Sequence, residues 1–76
     1  MSLKEEVIDQ ICNTLDVTKD ELQEEISLYD SIGVDSTEIV ELVVALGKHF
    51  GVKLETTEVT KNSTPLDIVG IISKKK

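Results

Sequence analysis

The sequence predicts an all-α fold, a small bundle of four helices in which three helices are long and one is short. Apolar residues recur at the three- and four-residue spacing of a helix in three separate segments. Each of these segments begins with residues that typically cap helices. No two strand-like segments joined by a tight turn occur in the 76 residues. We therefore expect one domain, residues 1–76, built around a small aliphatic core.

The first helix is predicted over residues 3–15. Ser2 and Glu5 have the spacing of a capping box at its start. The connection that follows, from about residue 16 to residue 35, is long for so small a domain. Within it Thr18 and Glu21 repeat the capping pattern, which predicts one short turn in an otherwise ordered loop. The residues expected to fix this loop to the core are apolar: Val17, Leu22, Ile26, Leu28 and Ile32.

The second long helix is predicted over residues 36–50. Its core-facing stripe follows the helical spacing and consists of Ile39, Leu42, Val43, Leu46 and Phe50. At about 100° per residue, the opposite face presents Thr37, Val40, Glu41, Val44 and Lys48. Two valines on this helix are therefore expected to face solvent.

The last part of the chain contains the third long helix. Residues 56–60 are expected to form either a short third helix or a turn. The final helix then begins after Thr64, because Pro65 suits the first helical position and Asp67 stands three residues after the cap.

Charge and cysteine content exclude several classes of function. The formal net charge is −7, with 15 acidic residues against 8 lysines. Such a surface repels nucleic acids and anionic membranes and favours partners with basic patches. Cys12 is the single cysteine, so no internal disulfide or cysteine-based metal site is expected. No leader or membrane-spanning segment is recognisable, and we expect a cytoplasmic, monomeric protein without a bound metal.

The segment before the helix at 36–50 has the most informative pattern of the chain. A loop that ends in an acidic residue leads directly into the helix, which places Ser36 beside unpaired N–H groups and the positive end of the helix dipole. A phosphate group is favoured at that position. Asp35 and Glu38 have the spacing of a capping box, so capping alone accounts for Asp35. Capping leaves the Ser36 hydroxyl free to be esterified.

This segment and the helix after it resemble acyl carrier proteins. The residues that carry the likeness are Gly33-x-Asp35-Ser36, Glu38, Val40-Glu41-Leu42-Val43 and Ala45-Leu46. The resemblance implies a carrier-protein bundle whose Ser36, next to Asp35, receives 4′-phosphopantetheine from coenzyme A through a separate phosphopantetheinyl transferase and Mg²⁺. It also implies that acyl intermediates of fatty acid, polyketide or related lipid biosynthesis are held on this arm as thioesters.

The resemblance further implies that partner enzymes offer basic patches to the second long helix. The expected docking residues are Thr37, Glu38, Val40, Glu41 and Val44, although a charged helix face can also be merely solvated. The protein itself is not expected to be an enzyme. His49, the single histidine, lies more than three helical turns from Ser36, and no catalytic residues are assigned.

Some positions depart from the family pattern and leave alternatives open. Thr37 follows the serine where the family usually has Leu or Met, and Asn62 stands where an apolar residue is common. An acyl chain beside these residues would meet a more polar wall, which indicates a specialised carrier. Two alternatives remain: a carrier-like interaction subunit that is never modified, and a stand-alone aminoacyl or peptidyl carrier.

Overall fold

The computed structural model of the chain describes residues 2–76, and within that range the regular structure is entirely helical. The helices are α1 (Leu3–Leu15), α2 (Leu28–Ile32), α3 (Ser36–Phe50) and α4 (Pro65–Lys75). Helix α1 packs against both α3 and α4. The predicted bundle of three long helices and one short helix is confirmed. None of the helices within residues 2–76 combines the length and apolarity needed to cross a bilayer.

Side-chain caps explain why the long helices begin where the sequence predicts. The Ser2 Oγ accepts a hydrogen bond from the Glu5 N–H at 3.2 Å at the start of α1. Thr64 and Asp67 form a reciprocal capping box at the start of α4, with bonds of 3.1 and 3.0 Å. Each cap satisfies backbone donors that the first turn of a helix leaves unpaired.

The short helix lies in a different place from the one the sequence suggested. Helix α2 lies within the segment predicted as a loop. Residues 56–60, for which the sequence allows either a short helix or a turn, form a turn. The Ser27 Oγ accepts a hydrogen bond from the Asp30 N–H at 3.1 Å, which caps α2 at its start. Gly33 ends it with a φ of 65°, a conformation that favours glycine. The predicted turn after Thr18 is confirmed.

The core is aliphatic and is built from one face of each helix. On α3 the predicted stripe is buried from Ile39 to Leu46, while Phe50 is half-buried. Leu22 and Leu28 fix the long connection to the core as expected. Ile26 was expected to fix this connection as well, but 39% of it remains exposed and it is not part of the core. Two residues earlier, the connection is bonded to the start of α4, where the Leu66 N–H donates to the Glu24 carbonyl at 3.3 Å.

Candidate functional site

Ser36 is the first residue of α3, and its side chain is exposed. The preceding residue, Asp35, is extended with a φ of −107° and serves as the N-cap. Within residues 2–76 the Ser36 hydroxyl takes part in no hydrogen bond, because Asp35 performs the capping. The oxygen of Ser36 is therefore open to reagents from solvent.

The capping box around Ser36 leaves part of the first turn of α3 without protein acceptors. The Asp35 Oδ1 accepts from the Glu38 N–H at 2.8 Å, and the Glu38 Oε1 accepts from the Asp35 N–H at 3.2 Å. The N–H of Ile39 is bonded to the Asp35 carbonyl at 3.1 Å. In the part of the chain that the structure describes, the N–H groups of Ser36 and Thr37 have no acceptor. These two donors, with the helix dipole, favour an anion at this end.

The loop before Ser36 is held by one buried residue that sequence reasoning missed. Val34 is 2% exposed and belongs to the aliphatic core. Gly33 on one side closes α2, with its N–H donating to the Tyr29 carbonyl at 2.9 Å. With the chain fixed at Val34 and at the Asp35 cap, Ser36 is directed away from the core. An apolar residue between a glycine and an aspartate was the available signal.

The predicted docking residues lie together along the outer side of α3, which we call the α3 outer face. Val40 is 49% exposed and Val44 is 50% exposed, so both predicted solvent-facing valines are confirmed as exposed. Thr37 and Glu41 are also exposed, while Glu38 is half-buried because its carboxylate closes the capping box. The α3 outer face thus combines two apolar side chains with nearby carboxylates, beginning at Ser36.

A groove opens directly beside Ser36, and we call it the Ser36 groove. It has a volume of about 370 Å³ and is lined by Ser36, Ile39, Val40, Thr56, Thr60, Lys61 and Asn62. In the sequence Asn62 is unusually polar for its position, but no pattern there indicates that Thr56, Thr60 and Lys61 face the same space. Residues 56–62 come from a separate part of the chain, and only the packing brings them to α3.

Backbone hydrogen bonds from α2 hold the far wall of this groove. The Tyr29 N–H donates to the Lys61 carbonyl at 2.9 Å, and the Leu28 N–H donates to the Ser63 carbonyl at 3.0 Å. The Lys61 Nζ lies 5.2 Å from the centre of the Tyr29 ring, within the range of a cation–π interaction. The short helix missing from the sequence prediction therefore positions the wall that faces Ser36.

The single histidine lies far from Ser36. His49 stands thirteen residues later on the same helix, which corresponds to about 20 Å along the helix axis. Its Nε2 is 3.7 Å from the Glu6 Oε2 at the start of α1. Residues 2–76 bring together no group of three or more side chains of the types that hold metals.

Comparison with known sequences connects this geometry to a family. The family model described as "Phosphopantetheine attachment site" matches residues 5–72 of the chain. That range includes Ser36, the whole α3 outer face and the Ser36 groove. The match indicates that a covalently attached phosphopantetheine is the cofactor of proteins of this kind.

Curated relatives agree with the family model over almost their full length. An acyl carrier protein of Thermotoga maritima is 37% identical over 79 residues, which cover 99% of this chain and 98% of that protein. One from Petrotoga mobilis is 37% identical over 73 residues, or 96% of this chain and 86% of that protein. One from Wolinella succinogenes is 30% identical over 76 residues and the full length of both. With the family match, these similarities show that the chain belongs to the acyl carrier protein family.

Proposed function

We propose that Ser36 carries a 4′-phosphopantetheine arm and that the protein shuttles acyl groups between enzymes. The observation that carries this proposal is the exposed Ser36 hydroxyl, which stands at the first position of α3 and has no capping role. Belonging to the acyl carrier protein family supplies the cofactor and the carrier role. The local geometry supports Ser36 as the residue that accepts the cofactor.

The residues around Ser36 fit a phosphodiester. The N–H groups of Ser36 and Thr37 are free to donate to phosphate oxygens, and the α3 dipole favours negative charge at this end. Asp35 keeps the helix start closed without using the Ser36 hydroxyl. When bound, phosphopantetheine supplies a terminal thiol that holds acyl groups as thioesters. The protein's own residues hold and orient the arm.

We assign the attachment to a separate transferase, because the carboxylates beside Ser36, those of Asp35 and Glu38, are engaged in the capping box. His49 lies about 20 Å away along α3. The reaction forms a bond between the serine oxygen and the phosphorus next to pantetheine, and it breaks the phosphoanhydride of coenzyme A. The serine proton passes to a base of the transferase, and adenosine bisphosphate leaves.

The α3 outer face is the proposed docking surface for the transferase and for acyl-transferring or condensing enzymes. Its valines provide a small apolar centre, and Glu38 and Glu41 provide charge that attracts basic patches. The acidic net charge of −7 supports long-range attraction of such partners. We place this carrier in the cytoplasm, in fatty acid, polyketide or related lipid biosynthesis, and assign it no catalytic activity of its own.

Intact-mass measurement tests the assignment. The unmodified protein is incubated with coenzyme A, Mg²⁺ and a broad-specificity phosphopantetheinyl transferase. We expect a single phosphopantetheinyl addition to the wild type and to Ser73→Ala, an exposed serine on α4 that serves as the matched control. Ser36→Ala is expected to keep its unmodified mass. An unchanged wild-type mass, under conditions that modify an established carrier, would contradict the proposal and favour an unmodified interaction subunit.

A further inference from the structure

The two walls of the Ser36 groove differ in chemistry. The α3 wall is apolar, with Ile39 nearly buried and Val40 about half exposed. The opposite wall, from the segment before α4, is formed by four residues with polar side chains: Thr56, Thr60, Lys61 and Asn62. A group tethered to Ser36 would therefore contact apolar side chains on one side and hydrogen-bonding side chains on the other.

The polar side chains of this wall are largely unused by the protein. Among residues 2–76, ion pairs are made by Lys4, Lys19 and Lys75, and Lys61 belongs to the lysines that make none. The Lys61 Nζ lies over the Tyr29 ring, which leaves its N–H donors available. Asn62 is bonded through its backbone N–H to the Thr60 Oγ1 at 3.2 Å, whereas its side-chain amide has no partner in the described range.

The cost of displacing water decides which occupant such a groove prefers. Lys61 and Asn62 are both exposed, so their ammonium and amide groups are accessible to solvent while the groove is open. An unsubstituted alkyl chain would displace that water without replacing its hydrogen bonds, which is unfavourable. An occupant with oxygen atoms at its far end would restore them, and a carboxylate would also pair with Lys61. Among the residues 2–76 that line the groove, Lys61 is the only charged one.

We propose that the Ser36 groove selects short acyl groups with a carboxylate at their far end over alkyl chains of the same length, and that Lys61 pairs with this carboxylate. The inference rests on the proposed function, since the acyl group is tethered through Ser36. The volume of about 370 Å³ is enough for about a dozen water-sized atoms. A six-carbon acyl group fits this space.

Two six-carbon probes test the selection. The holo protein is loaded with hexanoyl or with adipoyl, which differs by a terminal carboxylate, and intact mass verifies the loading. The rate of thioester cleavage by the neutral nucleophile hydroxylamine is then compared with that of the same group on free pantetheine. We expect the protein to protect adipoyl about threefold more than hexanoyl, the size of effect typical of an exposed ion pair. Repulsion between the adipoyl carboxylate and the net charge of −7 would instead make the protection of hexanoyl the greater of the two.

Variants assign the effect to named side chains. Lys61→Gln is expected to abolish the preference, whereas Lys53→Gln, an exposed lysine that does not line the Ser36 groove, is expected to retain it. Asn62→Ile is expected to increase protection of hexanoyl. As a second readout, adipoyl is expected to shift the backbone amide resonances of Thr56 and Asn62 more than hexanoyl does.

The outcomes separate this inference from the proposed function. A wild-type protein that gains no phosphopantetheinyl mass would overturn both. Successful loading with equal protection of the two probes, or greater protection of hexanoyl, would overturn the selection alone. An equal loss of protection for both probes in Lys61→Gln would assign the ammonium to the phosphodiester on Ser36 and would also overturn it.

Discussion

Asp35 and Glu38 form a reciprocal capping box that encloses Ser36 in sequence without using its side chain. The Asp35 carboxylate accepts the Glu38 N–H at 2.8 Å, and the Glu38 carboxylate accepts the Asp35 N–H at 3.2 Å. The start of α3 is therefore fixed by the residues on either side of Ser36 and Thr37. This arrangement separates helix stability from the hydroxyl that we propose as the attachment site.

Loss of the cap is expected to destabilise the fold. Asp35→Ala removes the acceptor for the Glu38 N–H and should lower the free energy of unfolding by about 1 kcal/mol. Asp35→Asn retains an oxygen acceptor and should cost less. Urea unfolding of both variants measures the difference. Asp20→Ala, at an exposed aspartate in the turn after α1, changes the charge equally and serves as control. A control variant as unstable as Asp35→Ala would contradict the capping role.

Charge reversal on the α3 outer face is expected to slow partner binding. Glu41 is exposed, so Glu41→Lys should leave stability within about 0.5 kcal/mol of the wild type. It should also lower the association rate with a transferase whose docking surface is basic, and make that rate less dependent on salt. Stopped-flow measurements at several salt concentrations test this. Glu25→Lys changes the net charge equally from the long connection, and equal slowing by both variants would indicate net charge alone.

The two faces of α3 should respond differently to truncation. Leu42 is fully buried, so Leu42→Ala is expected to cost about 2–5 kcal/mol of stability. Val44 is 50% exposed, so Val44→Ala should change stability by less than about 1 kcal/mol. The same substitution should raise the transferase KM about threefold, because the Val44 methyl groups are buried only in the complex. Urea unfolding and steady-state kinetics provide the two readouts. A normal KM for Val44→Ala would remove Val44 from the docking surface.

The two glycines inside helices should respond in opposite ways to alanine. Within the described part of the chain, and apart from its own helix backbone, nothing lies within 4 Å of a Cβ added at Gly70 on α4, so Gly70→Ala should stabilise the protein by about 0.5–1 kcal/mol. A Cβ on Gly47 would lie 3.0 Å from the Val52 carbonyl oxygen. Because the Val52 N–H is bonded to the Gly47 carbonyl at 3.1 Å, this close approach is fixed, and Gly47→Ala should destabilise. Thermal unfolding of both variants measures whether each substitution stabilises or destabilises the protein.

Cys12 should make stability fall at alkaline pH. Burial, and then the nearby Asp9 carboxylate, raise the pKa of the Cys12 thiol. The folded protein thus holds the thiol proton more tightly than the unfolded chain does, and the associated stability is complete below the ordinary thiol pKa of about 8.5. This stability is lost as the pH rises through the raised pKa of Cys12 in the folded protein. We expect the urea midpoint to fall less above pH 8.5 in Cys12→Ala than in the wild type, and equal falls would contradict this.

The features that the sequence predicted correctly depend on residues close together in the chain. Each capping pair stands three residues apart, as Asp35 and Glu38 do, so the sequence alone located the starts of the long helices. Helical spacing likewise separated the buried Leu42 from the exposed Val40 and Val44. Helix α2 could also have been predicted locally, because Ser27 is a typical N-cap residue and Gly33 is a typical residue at the end of a helix.

Helix starts, the apolar stripes and the exposed Ser36 follow from the sequence by itself, because backbone capping and side-chain periodicity act within a few residues. The Ser36 groove was decided by the tertiary structure, since Lys61 and Thr56 reach α3 only through long-range packing and the bonds from α2 to residues 61–63. The exposure of Ile26 and the burial of Val34 were decided in the same way. Which apolar side chains a small core encloses depends on how the helices fill its limited volume.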